Sequence, residues 1–274
     1  MHGTNRLQIA FIGFGEVGQT FSRGLAAGGK AEIAAWDLKF ALHPDGPNAA
    51  ATAAIGVRRG RSAADAAAGA RIVISAVTAS EAERVAREAA VWLRPGQVFV
   101  DVNSAAPTTK IRAAEAVQAT GADYVEGAVM APVLAPGIRV PILAGGPKAE
   151  EAARLLNDLG MNLTPVSTEH GRASAMKLCR SIIIKGLEAL MVDCAAASGA
   201  WGVTDPVFAS LAATFPSIDW HALSANMQER VATHGVRRSD EMAEAAEMVD
   251  ALGINPSLIL AVSDAQRRGA RPKD

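Results

Sequence analysis

The first 27 residues constrain the fold more than any other segment. Leu7–Ile12 is a compact apolar run, and Gly13, Gly15 and Gly18 follow in the order G-x-G-x-x-G. Glu16–Ala27 then carries the apolar spacing of a helix. A strand that turns on glycines directly into a helix returns to a neighbouring parallel strand, because a crossover helix needs one to pack beside. Each glycine has its own reason. Gly13 permits the tight turn, Gly15 clears the backbone for close approach, and Gly18 lets helix and strand pack together.

The next strand reads as Glu32–Trp36 and ends on Asp37, 19 positions after Gly18. An acid at that point accepts hydrogen bonds from ribose hydroxyls, while the helix N-terminus offers N–H groups and partial positive charge to phosphates. The expected ligand is a dinucleotide held by Gly13, Phe14, Gly15, Glu16, Val17, Gly18 and Asp37. Ala76, Val77 and Asn103 join them from the ends of later strands. The Asp37 carboxylate repels a 2′-phosphate and favours NAD, whereas Lys39 leaves NADP possible. The plainer reading is a glycine-rich turn with Asp37 as a solvated strand end.

Strand and helix patterns alternate to about residue 166. Expected strands are Arg71–Val77, Val98–Val102, Asp123–Val129, Val140–Ala144 and Asn162–Val166. Expected helices are Ser80–Trp92 with Ser80 as N-cap, Thr108–Ala119 and Lys148–Leu159. The segment between Asp37 and Arg71 is alanine-rich and less regular, with a loop at His43–Pro47. This alternation predicts an α/β fold, a Rossmann-type doubly wound and mainly parallel sheet, over residues 1–166. Residues 167–274 show no strand pattern and read as an all-α domain. It opens with a long helix at Arg172–Ser198 and continues with shorter helices divided at Trp201-Gly202, Phe215-Pro216 and Asn255-Pro256.

Composition removes several classes. A formal net charge of −1 gives no footprint for nucleic acid or an anionic membrane. The apolar stretch Ser181–Ala200 is broken by Lys185, Glu188 and Asp193 and reads as a buried helix, not a membrane span. The run before Gly13 is short for a signal peptide and lacks a cleavage site. Cys179 and Cys194 lie on one helix about 22 Å apart, too far to bridge. Free, buried thiols fit a reducing cytoplasm. No Cys/His cluster is present, so no metal is expected.

Three later segments, in order, carry a family resemblance. Asp101-Val-Asn103-Ser104-Ala-Ala-Pro107 resembles D-x-S-[ST]-x-x-P. Tyr124-Val-Glu126-Gly127-Ala128 stands in the place of P-V-S-G-G, and Gly171–Ser181 in that of G-x-G-x-x-x-K-x-x-N-N. With the glycine turn, these make the chain similar to the β-hydroxyacid dehydrogenases, which include 3-hydroxyisobutyrate and 6-phosphogluconate dehydrogenases. The resemblance implies that Lys177 is the acid/base and that Asn103, Ser104 and Gly127 face a substrate; by their own chemistry Glu126 suits substrate hydroxyls or a cation, and Arg180 with Ser181 suits an oxyanion. It also implies a homodimer built on the helical domain. Glu126 replaces a serine, Ala173 a glycine, and Arg180 and Ser181 both asparagines, which marks a divergent branch.

At 100° per residue, Arg180, Ser181, Lys185 and Glu188 fall within about 80° of Lys177. The alternatives are structural: Ser104 before a helix start, Lys177 snorkelling to solvent, and Lys185–Glu188 as an i,i+3 pair. His234, beside a glycine break with Arg237 and Arg238, either closes over an acidic substrate or begins a solvated helix whose arginines face Asp240 and Glu241. His170 and His221 read as structural or exposed.

These residues together predict NAD(P)-dependent oxidation of the CH–OH group of a small, anionic 3-hydroxy acid or sugar acid. An imine reductase or reductoisomerase on the same scaffold, and a non-catalytic NAD sensor, remain open.

Overall fold

The computed structural model describes residues 6–271. Its elements follow one another as β1 (Leu7–Ile12), α1 (Glu16–Ala27), β2 (Ala31–Trp36), α2 (Leu38–Leu42), α3 (Pro47–Ile55), β3 (Arg58–Arg59), α4 (Ala63–Ala67) and β4 (Ile72–Ser75). Then come α5 (Ala82–Ala89), β5 (Val98–Asp101), α6 (Pro107–Gln118), β6 (Asp123–Val129), β7 (Pro141–Gly145), α7 (Ala149–Asn157) and β8 (Asn162–Ser167). The C-terminal part is helical: α8 (Arg172–Trp201), α9 (Thr204–Thr214), α10 (Trp220–Asp250) and α11 (Ser257–Arg268).

One eight-stranded sheet runs in the order β3-β2-β1-β4-β5-β6-β7-β8. All neighbours pair in parallel except β6 and β7, which are antiparallel. The order reverses between β1 and β4, so their carboxyl ends open the crevice where ligands bind such sheets. Both faces are covered. Phe11, Ile33, Ile74 and Val100 belong to one apolar layer, and Ala10, Val73, Phe99 and Tyr124 to the other. Near-continuous burial along β1, β4 and β5 is what covered parallel strands require. β8 is an edge strand and tolerates Pro165 for that reason.

The fold matches the doubly wound expectation, with local corrections. Ser80 is not an N-cap: it lies inside a 3₁₀ turn, Ala79–Glu81, and the α-helix starts at Ala82. The irregular alanine-rich segment contains three short helices and the two-residue edge strand β3. The helices after α8 are not all short, because α10 runs unbroken through Gly235. A Cβ on Gly235 would lie 2.1 Å from the Gln266 carbonyl oxygen. This glycine therefore admits the backbone of α11 and does not end a helix.

The described residues divide into two compact units between Lys177 and Leu178. The division falls inside α8, beyond the boundary expected near residue 167, because the first turns of this helix are bonded to the sheet. The second unit has its own apolar centre of Met191, Phe208, Trp220 and Met227. Among the described residues no helix is long and apolar enough to cross a membrane. Cys194 is half-buried, but Cys179 is exposed, contrary to the expectation of two buried thiols.

Candidate active site

The glycine turn has the geometry its sequence requires. Gly13 has φ +93°, and a Cβ there would lie 2.3 Å from the Ala76 carbonyl oxygen. A Cβ on Gly18 would lie 2.4 Å from the Gly13 oxygen, whereas one on Gly15 would meet nothing within 4 Å. Gly13 and Gly18 are therefore required by packing, and Gly15 faces open space. Gly15 is also the N-cap of α1 and supplies no side-chain cap to its first N–H groups. Open space against uncapped amides fits a pyrophosphate.

Asp37 Oδ2 accepts from the Phe14 N–H at 2.6 Å, and Oδ1 accepts from the Lys39 N–H at 2.8 Å. The carboxylate thus ties the end of β2 to the glycine turn and caps α2. The Phe14 ring is fully buried and packs on Phe40 at 5.9 Å, so it is the Phe14 backbone that takes part in the turn. Val17 is half-buried against the core, and Glu16 is exposed on the first turn of α1. Gln19 was not anticipated. Its Nε2 donates to the Phe14 carbonyl at 2.9 Å and closes the turn from within.

Ala76 and Val77 are half-buried at the exit of β4. Asn103 Oδ1 accepts from the Val77 N–H at 2.6 Å, and its Nδ2 donates to Ser75 Oγ at 3.0 Å. Asn103 is buried, so this amide pins the loop after β5 to the end of β4, a structural duty not foreseen for a ligand contact. Behind it is a hub that sequence reasoning missed. Asp101 and Lys110 are both 0 % exposed and pair at 2.8 Å. Asp101 Oδ1 also accepts from the Asn103 N–H at 2.9 Å, and Oδ2 from Tyr124 Oη at 2.7 Å. Burial first, and then the Asp101 charge, push the Tyr124 phenol well above its usual range. Asp101 was visible in its motif, but Lys110 gave no sign because its partner lies on another element.

The structure brings Ser104 and Lys177 together across 73 residues. Lys177 Nζ donates to the half-buried Ser104 Oγ at 2.9 Å. Glu126 and Gly127 are corrections. Glu126 is fully buried, and its oxygens accept from the Ala173 N–H at 2.9 Å and from Ser174 Oγ at 2.8 Å. Gly127 is buried in β6, where a Cβ would press on Val102 and Ile142. His170 packs edge-on against Tyr124, with both ring nitrogens buried and without a hydrogen-bond partner. Burial holds its pKa below the usual value, opposed by the nearby Glu126.

In the second unit, Ser181 is another correction. Its buried Oγ donates to Glu241 Oε1 at 2.6 Å and accepts from Lys185 Nζ at 3.1 Å. Lys185 pairs with Glu241 at 3.1 Å, not with Glu188, and burial lowers its pKa against the opposing pull of Glu241. Glu188 is held instead by Arg238 at 2.7 Å and Arg230 at 3.2 Å, so Arg238 turns inward and does not face Asp240. Arg180 is exposed, as is His234, which lies within α10 and not at a helix start. His221 is exposed beside Asp205. Among the described residues no cluster of His, Cys, Asp and Glu could hold a metal ion.

A Rossmann-type sheet with this glycine turn falls in the class of NAD-binding hydroxyacid dehydrogenase-like proteins. Residues 8–167 match the NAD binding domain of 6-phosphogluconate dehydrogenase, and the chain belongs to that family. Residues 199–269 match DUF1932, a domain of unknown function. A conserved hypothetical protein of Sinorhizobium meliloti 1021 is 39% identical with TM-score 0.84, over 95% of this chain and 87% of that one. The conserved protein MTH1747, described as structurally similar to 3-hydroxyacid dehydrogenases, is 30% identical with TM-score 0.79, over 96% and 98%. The Mycobacterium tuberculosis 3-hydroxyisobutyrate dehydrogenase shares the fold at 18% identity and TM-score 0.80, over 96% and 93%. A 28.5 kDa uncharacterized protein of Methanothermus fervidus is 23% identical over 92% of this chain and 95% of its own length.

Proposed function

We propose that this protein oxidises the CH–OH group of a small 3-hydroxy acid or sugar acid, using NAD, with Lys177 as acid/base. The observation that carries this reading is the 2.9 Å hydrogen bond between Lys177 Nζ and Ser104 Oγ. Bound NAD supplies the hydride acceptor. Gly13, Gly15 and Gly18 would shape its pyrophosphate seat, the α1 N-terminus would meet the negative charge, and Asp37 would accept from the ribose hydroxyls. Lys177, in its neutral form, accepts the hydroxyl proton as the carbonyl forms. Ser104 Oγ keeps Nζ in place and offers its own proton to a substrate oxygen.

The test is a thermal-shift and NAD-reduction screen over 3-hydroxy acids and sugar acids. The expected result is turnover of at least one acid. A folded protein that binds NAD yet turns over nothing across that panel contradicts the reading. Each like-charge juxtaposition costs several kcal/mol, and about 1.4 kcal/mol is tenfold in affinity. Because Asp37 would meet the 2′-phosphate, NAD should bind at least about tenfold more tightly than NADP. Equal dissociation constants by calorimetry would remove Asp37 as the selector.

The same reading includes a homodimer. Ile183 and Leu190, each 69 % exposed, stand seven residues apart on α8, with Trp201 84 % exposed at its end. By helix periodicity this stripe lies opposite Ser181, Lys185 and Glu188. A seven-residue apolar repeat is what a second copy of the same helix covers. Light scattering should give a dimer at micromolar concentration, and Ile183→Glu with Leu190→Glu should give a monomer. A wild-type monomer at that concentration counts against the dimer.

A further inference from the structure

The Glu126 carboxylate holds the first turn of the helix that carries Lys177. Both of its oxygens are taken there, by the Ala173 N–H and by Ser174 Oγ. A carboxylate at a helix N-terminus is favoured by the macrodipole and satisfies orphan N–H groups. The room for it is built in: on β7, a Cβ at Gly145 would lie 2.4 Å from Glu126 Oε1. The turn into α8 is equally tight. Gly171 has φ +87°, and a Cβ on it would press on Pro107 and Ile111 at 3.3 Å.

Lys177 follows Ala173 by four residues, so the two lie on the same side of the helix, about 6 Å apart along its axis. A shift or rotation of the capped turn is therefore passed to Nζ. The partner hydroxyl is held from the adjacent strand. Asp101, the register partner of Glu126, fixes Asn103, and Ser104 comes next. The two sides of the Lys177–Ser104 pair are thus fastened to facing positions of β5 and β6.

We propose that Glu126 is a positioning residue for Lys177, anchoring the lysine-bearing helix instead of contacting substrate. This rests on the reading of Lys177 as acid/base. A misplacement of about 1 Å costs on the order of 10²-fold in rate. Glu126→Ala should therefore lower kcat by about 10- to 100-fold, with KM and the NAD dissociation constant within about threefold of wild type. Glu126→Gln, which keeps an acceptor for the Ala173 N–H, should recover most of kcat. Ser174→Ala removes one of the two bonds and should give a smaller loss of kcat at unchanged KM. It also serves if Glu126→Ala does not fold.

Hydrogen exchange supplies a reading independent of turnover. In Glu126→Ala, or in Ser174→Ala if the first does not fold, the amides at the start of α8 should lose protection while those of β5 keep theirs. Unchanged protection in a folded variant overturns the proposal. So does kcat within about threefold of wild type in folded Glu126→Ala. If the wild type turns over no substrate, the functional reading fails, and exchange alone still decides whether Glu126 anchors the turn.

Discussion

Replacing Lys177 with alanine is expected to lower kcat for NAD reduction by about 10²- to 10⁴-fold, the range a positioned general base contributes. The affinity for NAD should stay close to wild type, because the glycine turn and Asp37 do not use this side chain. Lys177→Arg should fail to rescue, since a guanidinium stays protonated and cannot accept the hydroxyl proton. Ser104→Ala should cost less, because it removes the partner that orients Nζ and leaves the base. Stopped-flow or steady-state NAD reduction reads all three. Turnover of Lys177→Ala within about tenfold of wild type would sink the assignment.

The second large effect concerns stability. Glu188 is fully buried and accepts from Arg238 NH1 at 2.7 and 2.8 Å and from Gln266 Nε2 at 3.2 Å. Arg238 is only 7 % exposed, so Glu188→Ala leaves a buried guanidinium without its carboxylate. Breaking such a pair from one side costs about 3–5 kcal/mol, whereas replacing both partners by apolar residues of similar volume is often neutral. Urea unfolding should show the single variant losing that much, and Glu188→Leu with Arg238→Met should recover most of it. A loss below about 1 kcal/mol in Glu188→Ala would mean that Glu241 or solvent compensates the charge of Arg238.

The repeating local patterns were legible. The apolar run, the three glycines and the helix at Glu16–Ala27 coincide with β1, the turn and α1, because strand burial, a positive φ and helix periodicity leave marks within a few residues. The motif singled out Lys177, but nothing near it in sequence pointed to its bond with Ser104, 73 residues away. Glu126 was misread because its motif position suggested substrate, while its partners Ala173 and Ser174 lie 47 and 48 residues away. Gly235 was misread because a glycine that admits another helix looks the same in sequence as one that ends a helix. The i,i+3 spacing of Lys185 and Glu188 suggested a pair, yet buried charges take the best geometry available, and here α10 supplies both partners.

The sequence by itself determined the alternation of strands and helices, the dinucleotide turn with Asp37 after it, and the family order that singles out Lys177. Those features depend on neighbours along the chain. Only the tertiary structure decided that Ser104 receives Lys177, that Asp101 pairs with Lys110, and that Glu126 bonds the first turn of α8. Each of those outcomes depends on which polar group finds its partner on another element. Burial makes an unpartnered charge too costly to keep, but the order of residues does not say where the partner comes from.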